Sequence, residues 1–199
     1  VLNNSGGLWF GWSGKLVDEA PVDGRAPVNV HQAGQVKLAT IDLNKEDYQA
    51  YYVGYANGVL WPVLHYRLDL ADFDAGYIEG YRRVNQLFAR TLLPMLQPDD
   101  VIWVHDYHLI PLAAELRALG CRQRIGFFLH IPLPPPLMLA AIPGHDWLIR
   151  ALFADATDVL LPCRLEAAGV SPRQHRHHEP TLHDPLALTL GQFLVVAEA

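Results

Sequence analysis

Two short apolar runs, each broken off by polar residues, set the frame of this chain. Val101 to Val104 (Val-Ile-Trp-Val) contains no polar member and is followed at once by His105, Asp106, Tyr107 and His108. Arg124 to His130 (RIGFFLH) repeats the pattern, again ending on a polar side chain. Continuous apolar runs of this length read as strands buried on both faces. Between them, Leu109 to Leu119 is rich in Ala and Leu and stops at Gly120, which predicts a helix. The three segments make a βαβ unit. A right-handed crossover places both strand ends on one edge of the sheet, where open α/β sheets bind ligands. Asp106 and His130 are therefore expected to be neighbours across a cleft.

The remaining chain supplies flanking elements. Val36 to Ile41 alternates enough for a strand, and Asn44 is placed to cap a following helix, with Glu46 and Asp47 in its first turn. That helix is expected to run to about Asn57 and stop at Gly58. It carries Tyr48, Tyr51, Tyr52 and Tyr55, whose spacing predicts one shared face. Leu60-Trp61-Pro62 and His65-Tyr66-Arg67 are expected on a loop, because Pro62 forbids a central strand. Gly76 to Gln97 gives the longest helical pattern, with Tyr77, Tyr81, Val84, Leu87 or Phe88, and Leu92 at helical spacing and Pro94 as a kink or end. Gly6, Gly7, Gly11 and Gly14, interleaved with Trp9, Phe10, Trp12 and Ser13, predict a tight loop that packs two Trp rings against a core edge. Residues 15–35 read as a surface hairpin or loop, and Ile131 to Pro136 as a stiff proline loop.

Composition narrows the classes. The 199 residues are 51% hydrophobic, enough for a sizeable core in one domain of ordinary size. A net charge of −6 argues against a nucleic-acid partner. Cys121 and Cys163 form neither a metal nor a disulfide framework, and a reduced, cytoplasmic setting is expected. No apolar stretch is long enough to span a membrane, and no secretory signal opens the chain. His105, Asp106, His108 and His130 include metal-ligand types, but a His-x-x-His across a strand-to-loop junction does not ensure convergence, so no metal is expected. A serine-hydrolase elbow is lacking too, since Ser13 sits in a Gly/Trp stretch. The rings and donors around Trp61, His65, Tyr66 and Arg67 suit either a sugar-phosphate pocket or a protein interface.

Six segments then occur in order: GGLWFGWSG, the Tyr51-Tyr52 pair, VLWPVLHYRLDL, YRRVN, VIWVHDYHLIP and RIGFFLHIPLP. Together they resemble the trehalose-6-phosphate synthase family of retaining GT-B glucosyltransferases (glycosyltransferase family 20), over residues 6 to about 159. The resemblance implies an α/β fold, a Rossmann-like, largely parallel sheet with flanking helices, corresponding to the N-terminal half of a GT-B enzyme. It implies an acceptor-binding domain over residues 1–161. It further implies glucose 6-phosphate as acceptor, UDP-glucose as co-substrate and no cofactor. Trp12, Tyr52 and Trp61 are implied as substrate-binding residues, Asp106 as binding the acceptor's hydroxyls and His130 as lying beside the transferred glucose. Asp106 and His130 are accordingly the expected catalytic pair.

The chain also departs from the family. The family's opening strand, with its Ser-Asn-Arg turn, does not precede Val1, so a sheet edge is expected to stand open and to invite association into a homo-oligomer. The family's donor-binding motifs do not occur among these 199 residues, and these residues alone are expected not to turn over. Residues 162–199 crowd His175, His177, His178 and His183 among Arg and Pro, and read as a divergent tail, translated out of frame or disordered. The alternatives are an inactive truncated fragment and a related synthase with another phosphorylated acceptor, such as glycerol 3-phosphate.

Overall fold

A computed structural model describes residues 7–21, 23–154, 158–160 and 194–197. Among these, seven strands form one sheet in the order β2-β3-β1-β7-β4-β5-β6. They are β1 (Gly7–Val17), β2 (Val28–Ala33), β3 (Val36–Asn44), β4 (Val101–His105), β5 (Arg124–Phe128), β6 (Asp158–Leu160) and β7 (Leu194–Ala197). β1 pairs β3 in parallel, as do β4 with β5 and β5 with β6. β2 and β7 run against their neighbours, so the sheet is largely parallel, as its βαβ pattern required.

The glycine-rich opening is a strand and not a tight loop. Leu8, Phe10 and Trp12 are buried while Trp9 between them is only half-buried, the two-residue alternation of an extended chain. β1 pairs with β3 from Gly7↔Val36 to Trp12↔Ile41, then shifts register before Leu16↔Leu43. A second difference concerns the open edge. β7, from the divergent tail, lies between β1 and β4 and pairs antiparallel with both, through Trp9↔Val195 and Trp103↔Val195. The slot between β1 and β4 is thus filled from the far end of the chain. The remainder of the tail, including its histidines and Cys163, lies outside the described residues.

Helices cover the sheet. After β3 the chain enters one continuous helical segment: α1 (Lys45–Asp47), a π-helix (Tyr48–Leu60) and α2 (Trp61–Leu64). Asn44 caps it as expected, its side chain accepting from the Asp47 N–H at 2.8 Å. Gly58 does not stop the helix, and Trp61-Pro62 continues it instead of lying on a loop. The Trp61 N–H still bonds five residues back, to Ala56. Pro62, which has no N–H to offer, comes next and closes the wide winding. The wider winding also divides the tyrosines into two pairs. Tyr51 and Tyr55 are fully buried against Tyr81, whereas Tyr48 and Tyr52 stack on each other beside Trp12.

α3 (Ala75–Leu92), capped by Asp74, crosses this helix and buries Tyr81, Val84, Phe88 and Leu92. Its Arg83 bonds Asp47 at 2.6 Å and Glu46 at 3.1 Å, and Arg82 lies 4.3 Å over the Trp147 ring. The crossing is close because Gly54 and Gly80 lack side chains: an added Cβ would overlap the Tyr77 ring at the first and Ala50 at the second. Gly80→Ala gains about 1 kcal/mol of helix propensity, yet overpacking typically costs about 1–3 kcal/mol. A net destabilisation is expected, read as a melting point lower by a few degrees in a thermal scan. α4 (Leu112–Ala118) joins β4 to β5 and ends at Gly120, whose φ of +87° suits a helix stop. α5 (Pro136–Leu139) and α6 (His145–Ala154) complete the described α-helices. None of the described helices is long and apolar enough to cross a membrane.

Candidate active site

β4 and β5 pair from Val101↔Arg124 to His105↔Phe128, so their carboxyl ends lie side by side. Asp106 follows β4 directly, and His130 stands two residues beyond β5. The Asp106 N–H donates to the Phe128 carbonyl at 2.8 Å, extending the ladder by one bond and tying the two exits together. The Asp106 carboxylate reaches His130 Nδ1 at 3.4 Å. Its side chain is largely covered, at 13%, while that of His130 is 53% exposed. The pair expected from the strand pattern is therefore assembled.

Asp106 has φ +68° and ψ 168°, a region populated essentially by glycine. Its Oδ1 accepts from the Tyr107 N–H at 3.1 Å, and its carbonyl accepts from the Leu109 N–H at 3.2 Å. Burial pushes its carboxyl above the ordinary range, and the His130 charge pulls the other way. His105 stacks on His130 with ring centroids 5.5 Å apart, and Phe128 meets His130 edge-on at 4.6 Å.

Burial, followed by the charge of His130, lowers His105 from 6.5 to about 4. A depressed histidine favours the neutral ring in the folded state. Its stabilising share is thus complete above about pH 6.5 and is lost as pH falls towards 4. For a half-buried ring, screening reduces this to about 1–2 kcal/mol. Asp106, being raised, takes up a proton more readily when folded and offsets part of the loss at the acid end. His105→Phe is expected to flatten the fall of melting temperature between pH 6.5 and 4; an unchanged slope would contradict the assignment.

The other expected residues join through rings. Trp12 lies 5.5 Å from Tyr52, Tyr52 stacks on His108 at 5.5 Å, His108 meets Tyr107 at 4.1 Å, and Tyr107 meets Trp61 at 5.7 Å. Trp12, Tyr52 and Trp61, far apart in sequence, are thus connected through the two residues that follow Asp106. Trp61 is 45% exposed and packs on His65. Such a row of rings beside a carboxylate can cover the apolar faces of a sugar while the acid accepts from its hydroxyls. Arg67 does not stand ready for an anion, because its Nε and Nη2 both bond Asp69 at 2.8 Å.

Sequence reasoning missed the supports: Asn57, which accepts from the Tyr107 hydroxyl at 3.0 Å, and Tyr81 and Asn85, which hold the loop after Asp106. An available signal was Asn85 itself, a polar residue among the buried positions of α3. A recess of about 900 Å³ lies elsewhere, beyond the ends of β1 and β3. Asp18, Glu19, Asp23 and Asp42 line it against Arg25 alone as a cation, a poor match for a phosphorylated sugar.

These features define a class: a Rossmann-like α/β protein whose chemistry-bearing side chains gather at the carboxyl edge of parallel strands, the arrangement of one half of a GT-B glycosyltransferase. The family model for glycosyltransferase family 20 matches residues 1–157. A trehalose-6-phosphate synthase of Sinorhizobium fredii is 54% identical over 147 residues, 74% of this chain and 31% of that relative. One from Citrobacter koseri is 50% identical over 152 residues, 76% of this chain and 31% of its own length. Among solved structures, an α,α-trehalose-phosphate synthase (UDP-forming) from Burkholderia xenovorans in complex with glucose-6-phosphate superposes with a TM-score of 0.70. Its identity is 51%, over 74% of this chain and 32% of that one. An E. coli chain bound with UDP-2-fluoro glucose gives a TM-score of 0.72 at 46% identity, over 79% and 34%. The chain belongs to glycosyltransferase family 20, and it spans about a third of the length of the curated relatives it matches.

Proposed function

We propose that this chain carries the acceptor half of an α,α-trehalose-phosphate synthase (UDP-forming), which transfers glucose from UDP-glucose to glucose 6-phosphate. The observation that carries the reading is the Asp106–His130 pair, 3.4 Å apart at the exits of β4 and β5. Asp106 accepts from hydroxyls of the acceptor sugar and fixes its orientation. Tyr52 and Trp61, with Trp12 behind them, contact the acceptor and its phosphate. His130, half open to solvent, meets the donor glucose. Retention without a covalent intermediate requires the acceptor hydroxyl to be held close to the anomeric carbon, on the face from which UDP departs. Positioning and electrostatic stabilisation then supply most of the rate. The reading calls on no cofactor.

The departing diphosphate requires cations, which this reading assigns to the part of the relatives' length to which these residues do not align. The 199-residue chain is therefore expected to bind acceptor without turning over. Calorimetric titration tests this. Saturable binding of glucose 6-phosphate, tighter than of glycerol 3-phosphate, supports the assignment. Preference for glycerol 3-phosphate points to another acceptor, and absence of binding to both removes the acceptor reading. Disaccharide phosphate formed on adding UDP-glucose would contradict the division of labour.

A further inference from the structure

Asp106 departs from ordinary backbone geometry, and something must hold it there. Its N–H is fixed by Phe128, on β5. On the other side, two successive carbonyls, those of Tyr107 and His108, are both held by α3. The Tyr81 hydroxyl donates to the Tyr107 carbonyl at 2.5 Å. Asn85 Nδ2, one helical turn further on, donates to the His108 carbonyl at 3.2 Å and to the Tyr81 carbonyl at 3.0 Å. Both side chains are fully buried, so neither is placed to touch a ligand itself. Strained residues persist only where their surroundings over-determine them, and here the chain is clamped before and after residue 106. An asparagine inside a helix that otherwise buries Val84, Phe88 and Leu92 is also a poor choice for packing, which leaves its bond to the loop as its physical rationale.

We infer that Tyr81 and Asn85 are positioning residues. They hold the Tyr107–His108 backbone so that Asp106 stays in its strained conformation, with its carboxylate turned to His130 and to the sugar. The inference rests on the acceptor-binding reading for its ligand, but its structural half stands apart from that reading.

The test is a thermal and calorimetric cycle on the full 199-residue chain with Tyr81→Phe, Asp106→Gly and the double variant. Glycine adopts the residue 106 geometry without strain, so Asp106→Gly is expected to melt higher than the parent. In the parent, losing the Tyr81 hydroxyl lets Asp106 relax, and relief of strain offsets the lost bond. In the glycine background nothing is relieved. Tyr81→Phe should therefore lower the melting point more in Asp106→Gly than in the parent, and weaken glucose 6-phosphate binding by about 10-fold in the parent, the effect of one misaligned hydrogen bond. Equal thermal losses in both backgrounds, with affinity within twofold of the parent, would overturn the inference. If the parent itself fails to bind glucose 6-phosphate, the acceptor reading has failed and the thermal cycle alone decides. Asn85→Leu repeats the cycle should Tyr81→Phe not fold; if neither folds in either background, the two residues are purely structural and the inference is wrong.

Discussion

Asp106→Asn is expected to weaken glucose 6-phosphate binding by about 100-fold, while the unliganded chain melts at the same temperature or slightly higher. Hydrogen bonds to a charged group contribute about 1.5–3 kcal/mol each. Asparagine keeps the shape and one acceptor but loses the charge, so a loss near 2.7 kcal/mol, or about 100-fold, follows. Stability moves the other way, because burial already raises the carboxyl above its ordinary range and its ionised form is a burden to the folded chain. His130→Asn should also weaken glucose 6-phosphate binding, but less, because it acts on the acceptor only through the Asp106 carboxylate it contacts. The double variant should lose less than the sum, since the two side chains interact at 3.4 Å. Additive losses would mean that the two groups act apart.

The second large effect concerns the centre of the sheet. β7 joins β1 to β4, and without it the sheet separates into β2-β3-β1 and β4-β5-β6, each with a bare edge. Val195 is paired with Trp9 on one side and Trp103 on the other. Val195→Pro removes a ladder donor and fixes φ in a strand with neighbours on both sides, where proline is not accommodated. A loss of about 3 kcal/mol, or roughly 6–12 °C in melting temperature, is expected. Exposed edges recruit other chains, so the variant should also elute as larger species in size-exclusion chromatography. A monomer with the parent's melting point would show that β7 contributes nothing to the sheet.

The legible parts of the fold were those where one local signal prevailed. The βαβ unit, the Asn44 cap and the helix stop at Gly120 each follow from a pattern a few residues long, and the pairing of Asp106 with His130 follows from the handedness of crossovers. The π-helix was not legible, because Gly58 and Pro62 carry strong stop signals that only the wide winding and the Tyr51–Tyr81 and Tyr55–Tyr81 packing override. β1 was hidden by glycines that resemble turn residues, and it is the pairing with β3 and β7 on either side that makes the segment a strand. The place of β7 could not be read locally at all, since it depends on contacts with residues about 90 and 185 positions away. At the site, the acid and the imidazole announced themselves, whereas Tyr81 and Asn85 act through backbone carbonyls that carry no sequence signal.

The central claim is that two neighbouring strand ends bring Asp106 and His130 to one rim, 3.4 Å apart, so that a phosphorylated sugar held by Asp106 lies against His130, where the glucosyl donor meets it. Its most direct test follows the histidine ring resonances of the isotopically labelled chain during titration with glucose 6-phosphate, with His130 assigned through His130→Asn. The account predicts that the His130 resonances shift saturably and that the shift is lost in Asp106→Asn. Saturable binding that leaves His130 unmoved would contradict it.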